Sequence, residues 1–322
     1  MRKWLLLVCA CVPFTAMAQP APDALPPVIP VWGEIETIQA NAMPGPALWR
    51  VSKGDAEVWV LGLAGGLPKG ITWNSASLSD VMKGSRAILL PPRPEMSAGV
   101  ILSAGWLLIS ECCSFFRLDK GKLDDLLPEA TKIKLSALRQ SVGGDAKLYQ
   151  GDEPLGAAQR LAGDTARKHD LNGESPMSTV LKLASSHDVD EQPASRFNPL
   201  PIVREALKLT PQQQLPCLDA ALEDTERRIM HARPMAEAWA VGDIEGMKAH
   251  FTESRTMDCM AAAVKTLGAL QQAQVTDMVG AIARALEKPG KTFAVVQIGP
   301  LLRKGGVLEQ LQARGLTIEA PQ

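Results

Sequence analysis

Strand-forming residues gather near the two ends of this chain, and a long helical stretch separates them. Any sheet must therefore be assembled from segments far apart in sequence, with the helices packed around it. Ala47–Val51 and Glu57–Leu61 flank a Lys53-Gly54-Asp55 turn and predict a β-hairpin. Val58, Trp59 and Val60 suit a strand. Arg86–Leu90 reads as a short buried strand closed by Pro91-Pro92. Thr292–Ile298 and Leu316–Glu319 read as two more. A helix from Gly305-Gly306 through Arg314, ended by Gly315, lies between them.

Ser75–Lys83 is a predicted helix, and the chain from Leu123 to Leu286 is mostly helical. Leu155, Ala158, Leu161 and Ala162 recur at helical spacing, as do Leu218, Ala221, Leu222 and Ile229. Thr210-Pro211 starts a helix: a capping residue followed by proline at the first position. Residues 172–201, with Pro176, Pro193, Pro199 and Pro201, read as a looser connection. Residues 96–110 carry no charge. Gly99 and Gly105 interrupt them, so these fifteen residues suit a buried helix better than a membrane span, although Met96–Phe116 holds only Glu111 as a charge. The expected fold class is α/β (α+β). A mixed β-sheet from the N-terminal hairpin and the C-terminal strands is surrounded by a large, mostly helical insertion.

Residues 1–18 read as a secretory signal. Met1-Arg2-Lys3 is basic, Trp4–Val12 is mostly apolar, and Ala16-Met17-Ala18 offers a small-residue cleavage site. A lipid-modified Cys11 is the alternative. Residues 19–46 are Pro/Ala-rich and read as a linker, and 47–322 as a single domain. The expected location is exported: periplasmic or secreted. Of 34 Lys and Arg, the signal removes Arg2 and Lys3, leaving 32 against 35 Asp and Glu. That near-neutral balance gives no reason to expect nucleic acid or an anionic membrane as partner. The mature chain keeps Cys112, Cys113, Cys217 and Cys259. In an oxidising compartment Cys217 and Cys259, both in the helical half, are the expected disulfide. Adjacent Cys112 and Cys113 are buried thiols or link elsewhere.

Motifs that carry chemistry are sparse. His169, His187, His231 and His250 show no i, i+4 pair and no H-E-x-x-H. His187-Asp188-x-Asp190 reads as a polar loop rather than a cation site. There is no G-x-S-x-G, no phosphate-binding P-loop and no G-x-G-x-x-G. Gly62-x-x-Gly65-Gly66 reads as a tight turn, although its N–H groups are able to cradle an anion. Glu223, Asp224 and Glu226 read as a solvated helix face shared with Arg227 and Arg228.

The order of segments supplies more. Pro46–Val51 followed by Val58–Gly62, the later Ala238-Trp239-Ala240-Val241-Gly242-Asp243, and the ending Thr292–Val296 with Gly305–Leu308 and Leu311-x-x-Arg314-Gly315-Leu316-Thr317-Ile318 resemble the TraB/GumN family. That resemblance covers about residues 46–320. It implies the fold of Tiki proteases and erythromycin-esterase-like proteins, with metal-dependent hydrolysis. The implied ligands are a histidine in G-x-x-H after the second strand, a glutamate ending the next buried strand and a histidine in a G-x-H-like motif. Two imidazoles and a carboxylate would hold an ion that acidifies water. Here the three slots read Gly62-Leu63-Ala64-Gly65, Leu90-Pro91 and Gly299-Pro300. The family's arginine-asparagine pair has no counterpart near Gln271–Asp277. The expectation is therefore a cleft at Gly62, Gly65, Pro91, Gly299 and Pro300 with no catalytic residue, no metal and no cofactor, lined by backbone and apolar groups. The implied role is binding or scaffolding, with an envelope protein or peptide as partner. The alternative is a peptidase or esterase with a relocated site that recruits His169, His187 or acids of the helical half.

Overall fold

The computed structural model describes residues 45–100, 102, 103 and 117–321. The signal segment, the linker up to residue 44, Cys112 and Cys113 lie outside the described residues. So does most of the predicted helix over residues 96–110.

Eight strands are present among the described residues: β1 (Leu48–Lys53), β2 (Ala56–Leu63), β3 (Ala87–Leu90), β4 (Arg93–Pro94), β5 (Asp190–Pro193), β6 (Arg196–Phe197), β7 (Gly290–Gln297) and β8 (Thr317–Glu319). Six of them form one sheet in the order β5-β3-β7-β2-β1-β8. β5, β3, β7 and β2 run parallel, and β1 is antiparallel to both β2 and β8. The mixed sheet assembled from distant segments is thus present. β4 and β6 make a separate two-residue pair.

The hairpin forms because Gly54 at φ 57° takes a left-handed turn position that a side chain would disfavour. Phe293 to Val296 of β7 are all buried, as are Val58, Val60 and Leu61 of β2. Central parallel strands covered on both faces are near-continuously apolar for this reason.

Two expectations need correction. The span 172–201 is not merely a loose connection: it holds helix Pro176–Ser186 and edge strand β5. β5 is Asp-Glu-Gln-Pro and mostly exposed, so it lacks the apolar alternation that signals a strand. Polar and proline residues suit an edge that must resist further pairing. The second correction concerns Glu223 and Asp224, which do more than face solvent. Asp224 accepts from the backbone N–H of Arg255 (3.1 Å) and Thr256 (2.9 Å) at the start of helix Arg255–Ala263. Glu223 bridges Lys134 at 3.1 Å and also pairs with Arg255.

The apolar side chains form two clusters. One surrounds the sheet. The other is built from helices Glu129–Ser141 and Pro154–Lys168 with Leu218, Ala221 and Leu222. Helix Pro211–Ala240 belongs to both, giving Leu218 and Leu222 to the helical cluster and Ala236 and Trp239 to the sheet cluster. Thr210 caps it through a reciprocal pair of bonds with Gln213, and Pro211 occupies its first turn. Cys217 on this helix is bonded to Cys259 on helix Arg255–Ala263.

Candidate functional site

The parallel strands bring the positions singled out from sequence to one edge of the sheet. Leu63 of β2 stands beside Gln297 of β7. The turns Ala64–Gly66 and Ile298–Pro300 therefore leave side by side. β3 lies on the other side of β7, and Pro91 follows it at the same edge. Ligands of α/β sheets bind outside the carboxyl ends of parallel strands.

The positions differ in surroundings. Gly62 is packed: a Cβ there would stand 2.6 Å from Ile298 Cδ1 and 3.0 Å from Leu301 Cδ2. A Cβ on Gly299 would meet the Phe251 ring at 2.8 Å. Gly65 has nothing within 4 Å of an added Cβ and opens onto a cavity of about 190 Å³. Gly66 and Ile298 also line that cavity, whereas Pro91 and Pro300 do not.

The cavity is not lined by backbone and apolar groups alone. Arg228, His231 and His250 reach it, and no acidic residue does among the described residues. The Nδ1 atoms of His231 and His250 stand 3.4 Å apart and the ring centroids 5.7 Å apart, so the two Nδ1 atoms face each other. Nothing in the sequence spacing of these histidines pairs them. The chain reversal at Trp239–Asp243 does, because it folds helix Ile244–His250 back along helix Pro211–Ala240.

Three residues of that reversal each have a physical task. The Trp239 indole is fully buried and donates to the Gly62 carbonyl. Trp73 packs edge-on against it, with centroids 5.2 Å apart. Gly242 has φ 74°, and a Cβ there would stand 2.8 Å from the Gly45 carbonyl oxygen. Asp243 caps the next helix by accepting from the Gly246 N–H at 2.9 Å.

A second cavity of about 640 Å³ adjoins the first and shares Arg228 and Thr252 with it. Leu155, Ala158, Ala162, Ala206, Met257 and Met260 give it apolar wall, alongside polar residues that include Gln159, Thr225 and Glu253. Asp224 also lines it, with its carboxylate already committed. Burial alone would raise its pKa. The N–H and hydroxyl of Thr256, the Ser254 hydroxyl and the Arg255 N–H together hold it below the usual carboxylate value. Arg228 donates to the Leu171 carbonyl at 3.3 Å and makes no ion pair among the described residues.

The other predicted residues lie elsewhere. His187 Nε2 is 2.9 Å from Ser79 Oγ, while His169 Nε2 is buried without a hydrogen-bond partner among the described residues. Asp277 accepts from Ser195 Oγ at 2.6 Å. No three His, Cys, Asp or Glu side chains gather closely enough to hold a metal ion among the described residues.

The profile of the TraB/PrgY/gumN family matches residues 47–320, which includes every strand of the sheet. The chain belongs to that family. No curated protein and no solved structure matches it. Within the TraB/PrgY/gumN span lie both apolar clusters, both cavities and the Cys217–Cys259 bond.

Proposed function

We propose that this protein is an exported, non-catalytic TraB/PrgY/gumN member that works by binding an envelope protein, a peptide or a smaller ligand. The observation that carries this reading is Gly65. The position opens onto a cavity at the end of β2, has room for a side chain and offers no donor atom. Pro91 and Pro300 offer none either. A glycine and two prolines do not fit a divalent ion that needs two imidazoles and a carboxylate, and no step through such an ion is derived. Export is supported by the basic and apolar start of the chain and by the Cys217–Cys259 disulfide. No helix among the described residues is long and apolar enough to cross a membrane.

The test is metal analysis of protein purified from the compartment to which it is exported. Peptide and ester hydrolysis would be measured alongside, with and without chelator. The expected result is neither bound ion nor hydrolysis. Stoichiometric zinc, manganese or cobalt, or chelator-sensitive turnover, overturns the reading.

One contact favours the alternative of a hydrolase with a relocated site. Ser79 and His187 have the separation of a nucleophile and its base. Against it, no carboxylate bonds the other ring nitrogen among the described residues, and neither residue lines the cavities described above. Hydrolysis abolished by Ser79→Ala would establish this alternative.

A further inference from the structure

The two adjoining cavities differ in size and in chemistry. The larger, about 640 Å³, lies within the range of roughly 300–1,000 Å³ usual for small-molecule sites. Its exposed surface is mostly apolar, from alanine, leucine, methionine and the carbon atoms of threonines, although Asp224 and Glu253 also line it. The smaller, about 190 Å³, has room for a head group only. It presents one guanidinium and two imidazoles and no carboxylate.

Charge decides what belongs in the smaller lobe. Arg228 lies on the wall shared by both cavities and has no acidic partner among the described residues. Asp224, one helical turn earlier, does not neutralise it, because that carboxylate is saturated by Ser254, Arg255, Thr256 and Arg227. Glu253 lines only the larger cavity. The facing Nδ1 atoms of His231 and His250 can share one proton, and the second proton of the neutral pair then sits on one Nε2 as a donor. Gly65 and Gly66 are exposed beside these groups, and their N–H groups bond no backbone carbonyl among the described residues. Arg228, one imidazole N–H and the Gly65 and Gly66 N–H groups are all able to donate to an oxyanion.

We infer that the paired cavities bind an amphipathic organic acid, its carboxylate held by Arg228, His231 and His250 beside Gly65-Gly66 and its hydrocarbon tail in the larger cavity. The inference rests on the binding role proposed above and names the ligand class.

Isothermal titration of the mature chain with sodium decanoate, decan-1-ol and inorganic phosphate tests it. Decanoate should bind at least about tenfold more tightly than either control, since a hydrogen bond to a charged group contributes about 1.5–3 kcal/mol. Arg228→Gln should weaken decanoate by about 10- to 100-fold and leave decan-1-ol unchanged. Ala162→Phe, which fills the larger cavity, should weaken both. Circular dichroism checks that each variant is folded. If phosphate equals decanoate, the tail site is wrong. If decan-1-ol equals decanoate, or Arg228→Gln changes nothing, the head-group site is wrong. Absent decanoate binding by a metal-free, inactive chain overturns this site alone. Decanoate binding by a chain that carries metal and hydrolyses substrate overturns the non-catalytic reading alone.

Discussion

The indole N–H of Trp239 donates to the carbonyl of Gly62 at 2.7 Å, joining the end of the longest described helix to the end of β2. Gly62 has no room for a side chain, and its buried carbonyl accepts this bond. Trp239→Phe removes the bond and should destabilise the fold by about 0.5–1.5 kcal/mol in urea denaturation. An unchanged midpoint would show that another group takes over the bond.

Gly62 and Gly65 are three residues apart and should respond oppositely to alanine. At Gly62 the methyl group would drive into Ile298 and Leu301, and overpacking of this kind costs about 1–3 kcal/mol. At Gly65 it would enter open space, with an effect within about 0.5 kcal/mol. Thermal denaturation of the two variants measures the contrast. Equal losses would mean that the cavity beside Gly65 is closed in solution.

The Cys217–Cys259 bond, with a sequence separation of 42, ties two helices of the helical half. Chain-entropy reasoning gives a contribution of about 4 kcal/mol for a loop of this length. Cys217→Ala should therefore lower the denaturation midpoint sharply. Adding reductant to the native protein should do the same, while a reductant titration of the variant should show no further loss.

Asp224 should make the fold sensitive to acid. Its carboxylate binds the start of helix Arg255–Ala263, and its pKa is lowered on folding because those donors outweigh burial. A carboxyl group whose folded pKa lies below its unfolded value stabilises fully above the unfolded value, near 3.9. It loses that contribution as pH falls through the folded one. Asp224→Asn should cost on the order of 2 kcal/mol at pH 7 and proportionally less below about pH 4. A difference between the two proteins that does not shrink in acid would contradict this assignment.

How far the molecule is legible in its sequence depends on where the signal is written. Val58, Val60 and the run Phe293–Val296 announce central strands because burial on both faces demands apolar, strand-forming residues. β5 announces nothing, since an edge strand of Asp-Glu-Gln-Pro is stabilised by pairing with β3 rather than by its own side chains. The convergence of Gly65, Pro91 and Gly299 at one sheet edge follows from strand order. The facing of His231 and His250 does not, because it depends on two helices folding back about Gly242. In the sequence Arg228 reads as part of a solvated face, and only the commitment of Asp224 to another helix leaves it without an acidic partner among the described residues.

Helix Pro211–Ala240 runs through both apolar clusters, with the residues at its middle facing both cavities. It therefore acts as a shared spar. Arg228 and His231, which line the cavities, lie on the same helix as Trp239, whose indole is fastened to the end of β2.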